Sequence, residues 1–267
     1  MKELEISKKE LKKRKLQLAT KNFYDKHNYP DGSDGRYEYF IEKLSKYINL
    51  KNLKGKKVLD VGCGTGTISN ILYEFGADVY AFDQSINSVN SVKKNYPNIK
   101  VKQGDALNNP FKDDEFDLVV SIGVLHHTPN CYKGFQECAR VTKPGGHMLI
   151  LLYRKWHWYP ILYHLISPFC IGRNANNLPK WFLFPIKKFI DIYYGETTTY
   201  QDVKDLFADQ YYTPQATFHS KNQINKWGKK NNLKLLKTGT QYLWQHGLYY
   251  LEKLHKTNEK SINITGE

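Results

Sequence analysis

No apolar run in this chain is long enough to cross a bilayer. The most apolar stretch, residues 156–172, is interrupted by His157, Pro160, His164 and Pro168, which rules out a plain spanning helix. The opening residues, MKELEISKKELKKRK, are charged and lack the apolar core of a secretory leader, so a cytoplasmic setting is expected. Cysteines are few: Cys63, Cys131, Cys138 and Cys170 show no metal-ligand spacing, and the nearest two are seven positions apart. Reduced structural thiols and no metal are the expectation. Arginine is scarce beside lysine, and no segment repeats another. At 267 residues the chain can bury one substantial core with elaborations, rather than two equal domains.

What is abundant is positive charge, and it is unevenly placed. Residues 1–57 carry 16 Lys+Arg against 8 acids and residues 153–267 also carry 16 against 8, whereas residues 58–152 carry 8 against 10. The middle of the chain is therefore near neutral. The basic flanks are compatible with an acidic substrate, a membrane surface or nucleic acid, or with solvated helix faces alone.

The middle holds VLDVGCGTG at residues 58–66. An apolar run of this kind reads as a buried parallel strand, and the glycines that follow let the backbone turn sharply and approach a ligand. The dinucleotide fingerprint G-x-G-x-x-G serves a pyrophosphate. Here Gly62, Gly64 and Gly66 alternate behind Asp60. An acid beside the turn is a poor host for phosphate and a better one for a ligand carrying a cation and an ammonium group.

From residue 57 onward, apolar runs at 57–61, 78–82, 99–104, 116–122 and 146–153 alternate with helical patterns at 67–75, 86–95 and 132–141. That rhythm predicts an α/β core with a doubly wound parallel sheet. Lys143-Pro144-Gly145-Gly146 reads as a helix stop followed by a turn. After residue 153 the rhythm breaks into an aromatic-rich, proline-broken segment. A helix at 219–231 and two strands at 233–240 and 242–252 then close the pattern. The expected organisation is an N-terminal helical extension or lid (1–55), a ligand-binding core (56–153), a cap (154–217), closing elements of the core (218–254) and a loose polar tail (255–267).

Two further acids complete a constellation. Asp83 ends the second strand 21 positions after Gly62, where a carboxylate accepts from both hydroxyls of a ribose. Gly104-Asp105-Ala106 follows the third strand, where it can read an adenine edge. With FDLVVSIGVLHHTPN at 116–130 and RVTKPGGHMLILLY at 140–153, the ordered set resembles the class I S-adenosylmethionine-dependent methyltransferases, over about residues 55–153. The resemblance implies a Rossmann-like seven-stranded sheet with an antiparallel last strand and helices on both faces. It also implies S-adenosylmethionine as methyl donor and S-adenosylhomocysteine as product. Carried onto this sequence, Asp60, Gly62, Gly64 and Gly66 would shape the methionine pocket, Asp83 would hold the ribose, and Asp105 with Ala106 would contact adenine. Gln84 and Ile122 are further candidates for its lining.

Methyl displacement needs mainly a nucleophile held in line in a dry site, with a general base only where the acceptor is protonated. His126 and His127, after the fourth strand, are candidates for that base, and a local structural role is the alternative. The aromatics Tyr153, Trp156, Tyr194 and Tyr200 are candidates for enclosing an acceptor, as Tyr and Trp faces attract cations, although core packing also explains them. Tyr24 and His27 are candidates for an N-terminal lid. A small-molecule acceptor is the leading expectation. RNA is the alternative suggested by the basic flanks, but no N-P-P-Y-type tetrapeptide follows the fourth strand. A lipid or quinone acceptor with peripheral membrane contact is a third reading, and a non-catalytic binding protein a fourth. The acceptor atom and the oligomeric state are not legible in the sequence.

Overall fold

The computed structural model describes residues 7–26, 36–194, 197–241 and 245–255. Two N-terminal helices, α1 (Lys8–Lys26) and α2 (Arg36–Ser45), precede the core. The core runs β1 (Lys57–Val61), α3 (Thr67–Glu74), β2 (Asp78–Asp83), α4 (Ile86–Asn95), β3 (Lys100–Gln103), β4 (Phe116–Ile122), α5 (Cys131–Val141) and β5 (Thr142–Tyr153). Helices α6 (Tyr159–Cys170), α7 (Lys180–Tyr194) and α8 (Tyr200–Phe207) follow, the last running into a π-helical turn at Ala208–Tyr212. Helix α9 (Lys221–Lys230) and strands β6 (Leu233–Gln241) and β7 (His246–Lys253) complete the described chain.

The seven strands lie in the order β3-β2-β1-β4-β5-β7-β6. Strands β1 to β5 are mutually parallel where paired, and β7 inserts antiparallel between β5 and β6. This is the expected Rossmann-like sheet. Side chains alternate across it with a period of two: Leu59, Val61, Val119, Met148 and Ile150 join one core cluster, while Val58, Leu118, Val120, Leu149 and Leu151 join the cluster on the opposite face. Both faces are covered, which is why these strands read as continuous apolar runs. Helix starts are set by polar caps: the side chains of Ser85, Asn130 and Ser220 accept backbone N–H groups three residues on.

Two local expectations change. The Pro-Gly-Gly segment is part of β5 rather than a turn before it, and the strand shifts register against β4 between Phe116 and Leu118. Gly145 takes φ +75°, and a Cβ on Gly146 would stand 2.9 Å from the Lys143 carbonyl oxygen and 3.0 Å from that of Asp117, so the bulge demands glycine there. The closing strand expected at 242–252 is β7, which begins at His246; residues 242–244 lie outside the described residues.

The segment after β5 folds onto the carboxyl edge of the sheet as three helices. Tyr153, Tyr159 and Tyr163 form a buried cluster, and the Tyr159 hydroxyl donates to the carbonyl of Gln210 at 2.7 Å, tying α6 to the π turn. Leu183, Ile190 and Val203 pack α7 on α8. Among the described residues no helix is long and apolar enough to cross a membrane.

Candidate active site

The strand order reverses between β1 and β4, and in open α/β sheets a crevice forms outside the carboxyl ends of the strands at such a point. A cavity of about 800 Å³ occupies it, walled by the loops after β1, β2, β3 and β4, by α1 and α2 from the N-terminal side, and by α7, α8 and the π turn. That volume suits a nucleoside-sized ligand together with a second small molecule.

At the end of β1, Gly62, Gly64 and Gly66 all have positive φ, at +73°, +53° and +93°. They do different things. A Cβ on Gly62 would lie 2.5 Å from Val124 Cγ2 and one on Gly66 2.8 Å from Val92 Cγ2, whereas one on Gly64 would meet nothing within 4 Å and would project into open space. Gly62 and Gly64 line the cavity; Gly66 lies outside its wall, against α4. The Gly64 N–H donates to Asp83 Oδ2 at 2.9 Å, so the loop after β1 is braced by the acid that ends β2. The Ser85 N–H donates to Asp83 Oδ1 at 2.8 Å. Each carboxylate oxygen keeps further lone-pair capacity.

Asp60 is 2% exposed and accepts from Ser69 Oγ at 2.6 Å. Burial pushes its pKa up to about 7; the Ser69 hydrogen bond opposes the shift and the Asp83 charge adds to it. Burial likewise raises Asp83, against the hydrogen bonds from Ser85 and Gly64. A buried and a half-buried carboxyl with no Lys or Arg in the described lining form a site prepared for a positive ligand. Asp105 Oδ2 accepts from Gln17 Nε2 at 2.5 Å and its Oδ1 from the Leu107 N–H at 2.9 Å, so α1 reaches across to the loop after β3. Gln84, Ala106 and Ile122 also line the cavity.

The histidine pair separates by position. His126 is 1% exposed, outside the cavity lining, with its ring 3.8 Å from that of Tyr153. His127, 2% exposed, lines the cavity. Its Nδ1 is 2.8 Å from the carbonyl oxygen of Gln215, an obligate acceptor, so Nδ1 carries the proton and the lone pair is on Nε2. Among the described residues Nε2 has no hydrogen-bond partner. Burial lowers the pKa of His127, against the Asp209 charge and the Gln215 bond, leaving the ring neutral at pH 7. The segment carrying Gln215 is held in place because the Thr217 N–H donates to the His126 carbonyl at 2.8 Å.

Tyr24 also lines the cavity, its ring edge-on to His127 at 6.1 Å and its hydroxyl 3.4 Å from Asp209. His27 lies outside the described residues, as does the side chain of Tyr194. The remaining aromatic candidates stand off the cavity for physical reasons. Tyr153 is fully buried in the tyrosine cluster, Trp156 is 75% exposed, and Tyr200 packs against the α7–α8 contact. Sequence reasoning missed Gln17 and Thr20 of α1 and the acids Asp202, Asp205 and Asp209. The spacing of those three acids, at i, i+3 and i+7, is the signal that places them on one helical face. With Glu38, Glu42, Asp60, Asp83 and Asp105 they give the cavity wall a strongly acidic lining. Among the described residues no Lys or Arg lines it, in a chain of net charge +14.

Comparison with known proteins agrees with this geometry. A methyltransferase-domain family model matches residues 59–150. Demethylmenaquinone methyltransferase of Paenarthrobacter aurescens is 42% identical over 97 residues, 36% of this chain and 38% of that protein. Phosphoethanolamine N-methyltransferase 2 of Caenorhabditis elegans is 31% identical over 156 residues, 52% of this chain and 36% of that protein. The chain thus spans less than half the length of these curated relatives. Magnesium protoporphyrin IX methyltransferase of Synechocystis PCC 6803, solved with bound S-adenosylhomocysteine, shares the fold with a TM-score of 0.57 at 16% identity, covering 90% of this chain and 97% of that one. Residues 59–150 thus match a methyltransferase domain, carried on a fold that this chain shares with a solved methyltransferase.

Proposed function

We propose that this chain transfers a methyl group from S-adenosylmethionine to a small, non-anionic acceptor. The observation that carries the reading is the cavity at the sheet's carboxyl edge, lined by carboxylates and free of Lys and Arg among the described residues. When bound, the cofactor supplies an electrophilic methyl group on a sulfonium. The residues present fit it. Gly64 leaves room for close backbone approach, and the buried carboxyl of Asp60 suits an ammonium group. Asp83 suits a ribose diol, and Asp105 with Ala106 an adenine edge, with Gln84 and Ile122 as flanking contacts.

The chain's own part in the chemistry is to position the acceptor, exclude water and accept a proton. His127 lines the cavity, is oriented by the Gln215 carbonyl, and carries an unprotonated, buried Nε2 that has no partner among the described residues. An acceptor O–H or N–H would lose its proton to that nitrogen as its electron pair forms the new bond to carbon. S-adenosylhomocysteine would be the second product. The wall charge disfavours an anionic acceptor, and so disfavours RNA, whose phosphates the cavity would repel. The names of the demethylmenaquinone and ubiquinone-biosynthesis relatives support a neutral quinone-type acceptor as one member of the favoured class. Four buried free thiols suit a reducing, cytoplasmic setting.

Calorimetry with S-adenosylmethionine tests the cofactor site. Because the carboxyl of Asp60 titrates near 7 and the ligand's cations favour its ionised form, the affinity is expected to fall by up to about tenfold per pH unit below 7, with proton release on binding. Asp60→Asn should bind more weakly and lose this pH dependence. Absence of binding at pH 8 would sink the reading. Labelled-methyl transfer compared across a metabolite extract, a lipid extract and total RNA then identifies the acceptor class, and label in RNA alone would overturn the non-anionic assignment.

A further inference from the structure

The outer face of the cap is built unlike the rest of the surface. Helix α6 contains no charged residue, yet Ile161, Leu165 and Phe169, spaced four apart on one face, are 64%, 62% and 69% exposed. Helix α7 repeats the pattern: Trp181 and Ile192 are 78% and 82% exposed, and Phe184 is 49% exposed between them. Trp156 adds a further exposed ring just before α6. Soluble surfaces rarely leave so many large apolar side chains in water on two successive helices. The inner faces of both helices are occupied, α6 through Tyr159, Tyr163 and Cys170, and α7 through Leu183 and Ile190, so the exposed residues are not a misplaced core.

The charge around this face has one sign. Between residues 154 and 194 the only acid is Asp191, which pairs with Lys187 at 2.6 Å. Lys155, Arg173, Lys180 and Lys188 are exposed around the apolar side chains. Lys188 lies 5.2 Å from the Phe184 ring and Lys155 5.2 Å from the Trp156 ring. Exposed Trp and Phe flanked by lysine are the composition of an element that lies in a lipid headgroup layer. At 12 and 15 residues the helices are too short to span a bilayer and long enough to lie on one.

We infer that the α6–α7 face docks on an anionic bilayer surface, with the aromatic and aliphatic side chains in the headgroup boundary and the lysines on the acidic lipid. Helix α7 then has one side on the bilayer and the other, through Ile190, on the cavity. The inference goes beyond the methyl-transfer reading, and its test does not use turnover.

The test is flotation of the full chain with vesicles of phosphatidylcholine alone and of phosphatidylcholine containing phosphatidylglycerol. The chain is expected to float with the anionic vesicles and to be released by salt. Lys180→Glu with Lys188→Glu should weaken binding by at least about 25-fold, since each lysine near an anionic surface contributes roughly fivefold. The triple variants Trp181→Ser/Phe184→Ser/Ile192→Ser and Ile161→Ser/Leu165→Ser/Phe169→Ser should each abolish flotation while S-adenosylmethionine affinity, which reports a folded core, stays unchanged. Failure of the wild type to float, flotation of the triple variants at wild-type strength, or equal binding to neutral vesicles would overturn the inference. So would a wild-type dimer that the serine variants disperse without any vesicle binding, because the face would then be a contact between copies.

Discussion

Replacing His127 with glutamine is expected to lower kcat by about 10²- to 10⁴-fold on the acceptor identified by methyl labelling, the usual contribution of a positioned general base. The ring lines the cavity and is held by the Gln215 carbonyl, and its buried Nε2 has no partner among the described residues. Glutamine is similar in reach but has no basic nitrogen. S-adenosylmethionine affinity should change little, because the glycine loop, Asp60 and Asp83 are left in place. With saturating cofactor, wild-type kcat should be flat above pH 6.5 and fall on the acid side, where the lowered pKa of His127 places its protonation. A His127→Gln enzyme with wild-type kcat would show that positioning alone carries the reaction. His126→Gln is the contrasting variant: its ring packs against Tyr153 outside the cavity, so stability should suffer before chemistry does.

Acidification from pH 7 to 4.5 is expected to destabilise the folded chain. Among the described residues four histidines are buried, at 1% to 6% exposure: His126, His127, His219 and His246. Burial pulls His246 down to about 3 and His219 to about 4, and lowers the other two as well. Above pH 6.5 these rings are neutral folded and unfolded, and their stabilising contribution is complete. As pH falls below 6.5 the unfolded chain takes up protons that the folded chain refuses, so stability drops by about 1.4 kcal/mol per pH unit for each ring until its folded pKa is reached. His219 and His246 together account for about 5 kcal/mol by pH 4.5. Asp60 acts with the opposite sign: raised to about 7, its buried charge is relieved on protonation and returns about 3 kcal/mol over the same range. Asp83, also raised by burial, acts with the sign of Asp60, and His126 and His127, both lowered, act with the sign of the other two histidines, so the four histidines outweigh the two carboxyls. Denaturant midpoints at pH 7 and 4.5 measure the difference, and the double variant His219→Gln/His246→Gln should flatten the slope. A midpoint that holds or rises on acidification would contradict the account.

The strands of the core were legible because both faces of the sheet are covered, leaving Val58, Leu59 and Val61 no polar alternation to hide in. The acids Asp60, Asp83 and Asp105 were legible for a related reason. A carboxylate at the end of a buried strand has no packing role to explain it. The bulge in β5 was not, since Lys143-Pro144-Gly145-Gly146 has the residues of a turn, and only the crowding of Gly146 by three carbonyls shows it to be a kinked strand. The cap was least legible. Its described aromatics divide between buried clusters and exposed faces according to helix phase, which a proline-broken composition does not reveal. Tyr153 and Trp156 therefore lie off the cavity, while Asp202, Asp205 and Asp209 reach it from a helix and π turn that no motif announced.

Helix α1 is attached to the rest of the molecule by polar groups and by the rings of Phe23 and Tyr24. Gln17 bonds to Asp105, Asn87 donates to the Asp25 carbonyl at 2.8 Å, and Phe23 supplies an apolar anchor against the cap. Hydrogen bonds of this kind contribute about 1 kcal/mol each net of their exchange with water. On undocking, bonds of this kind exchange with water, so separating α1 from the cavity would leave the pairing of the sheet untouched.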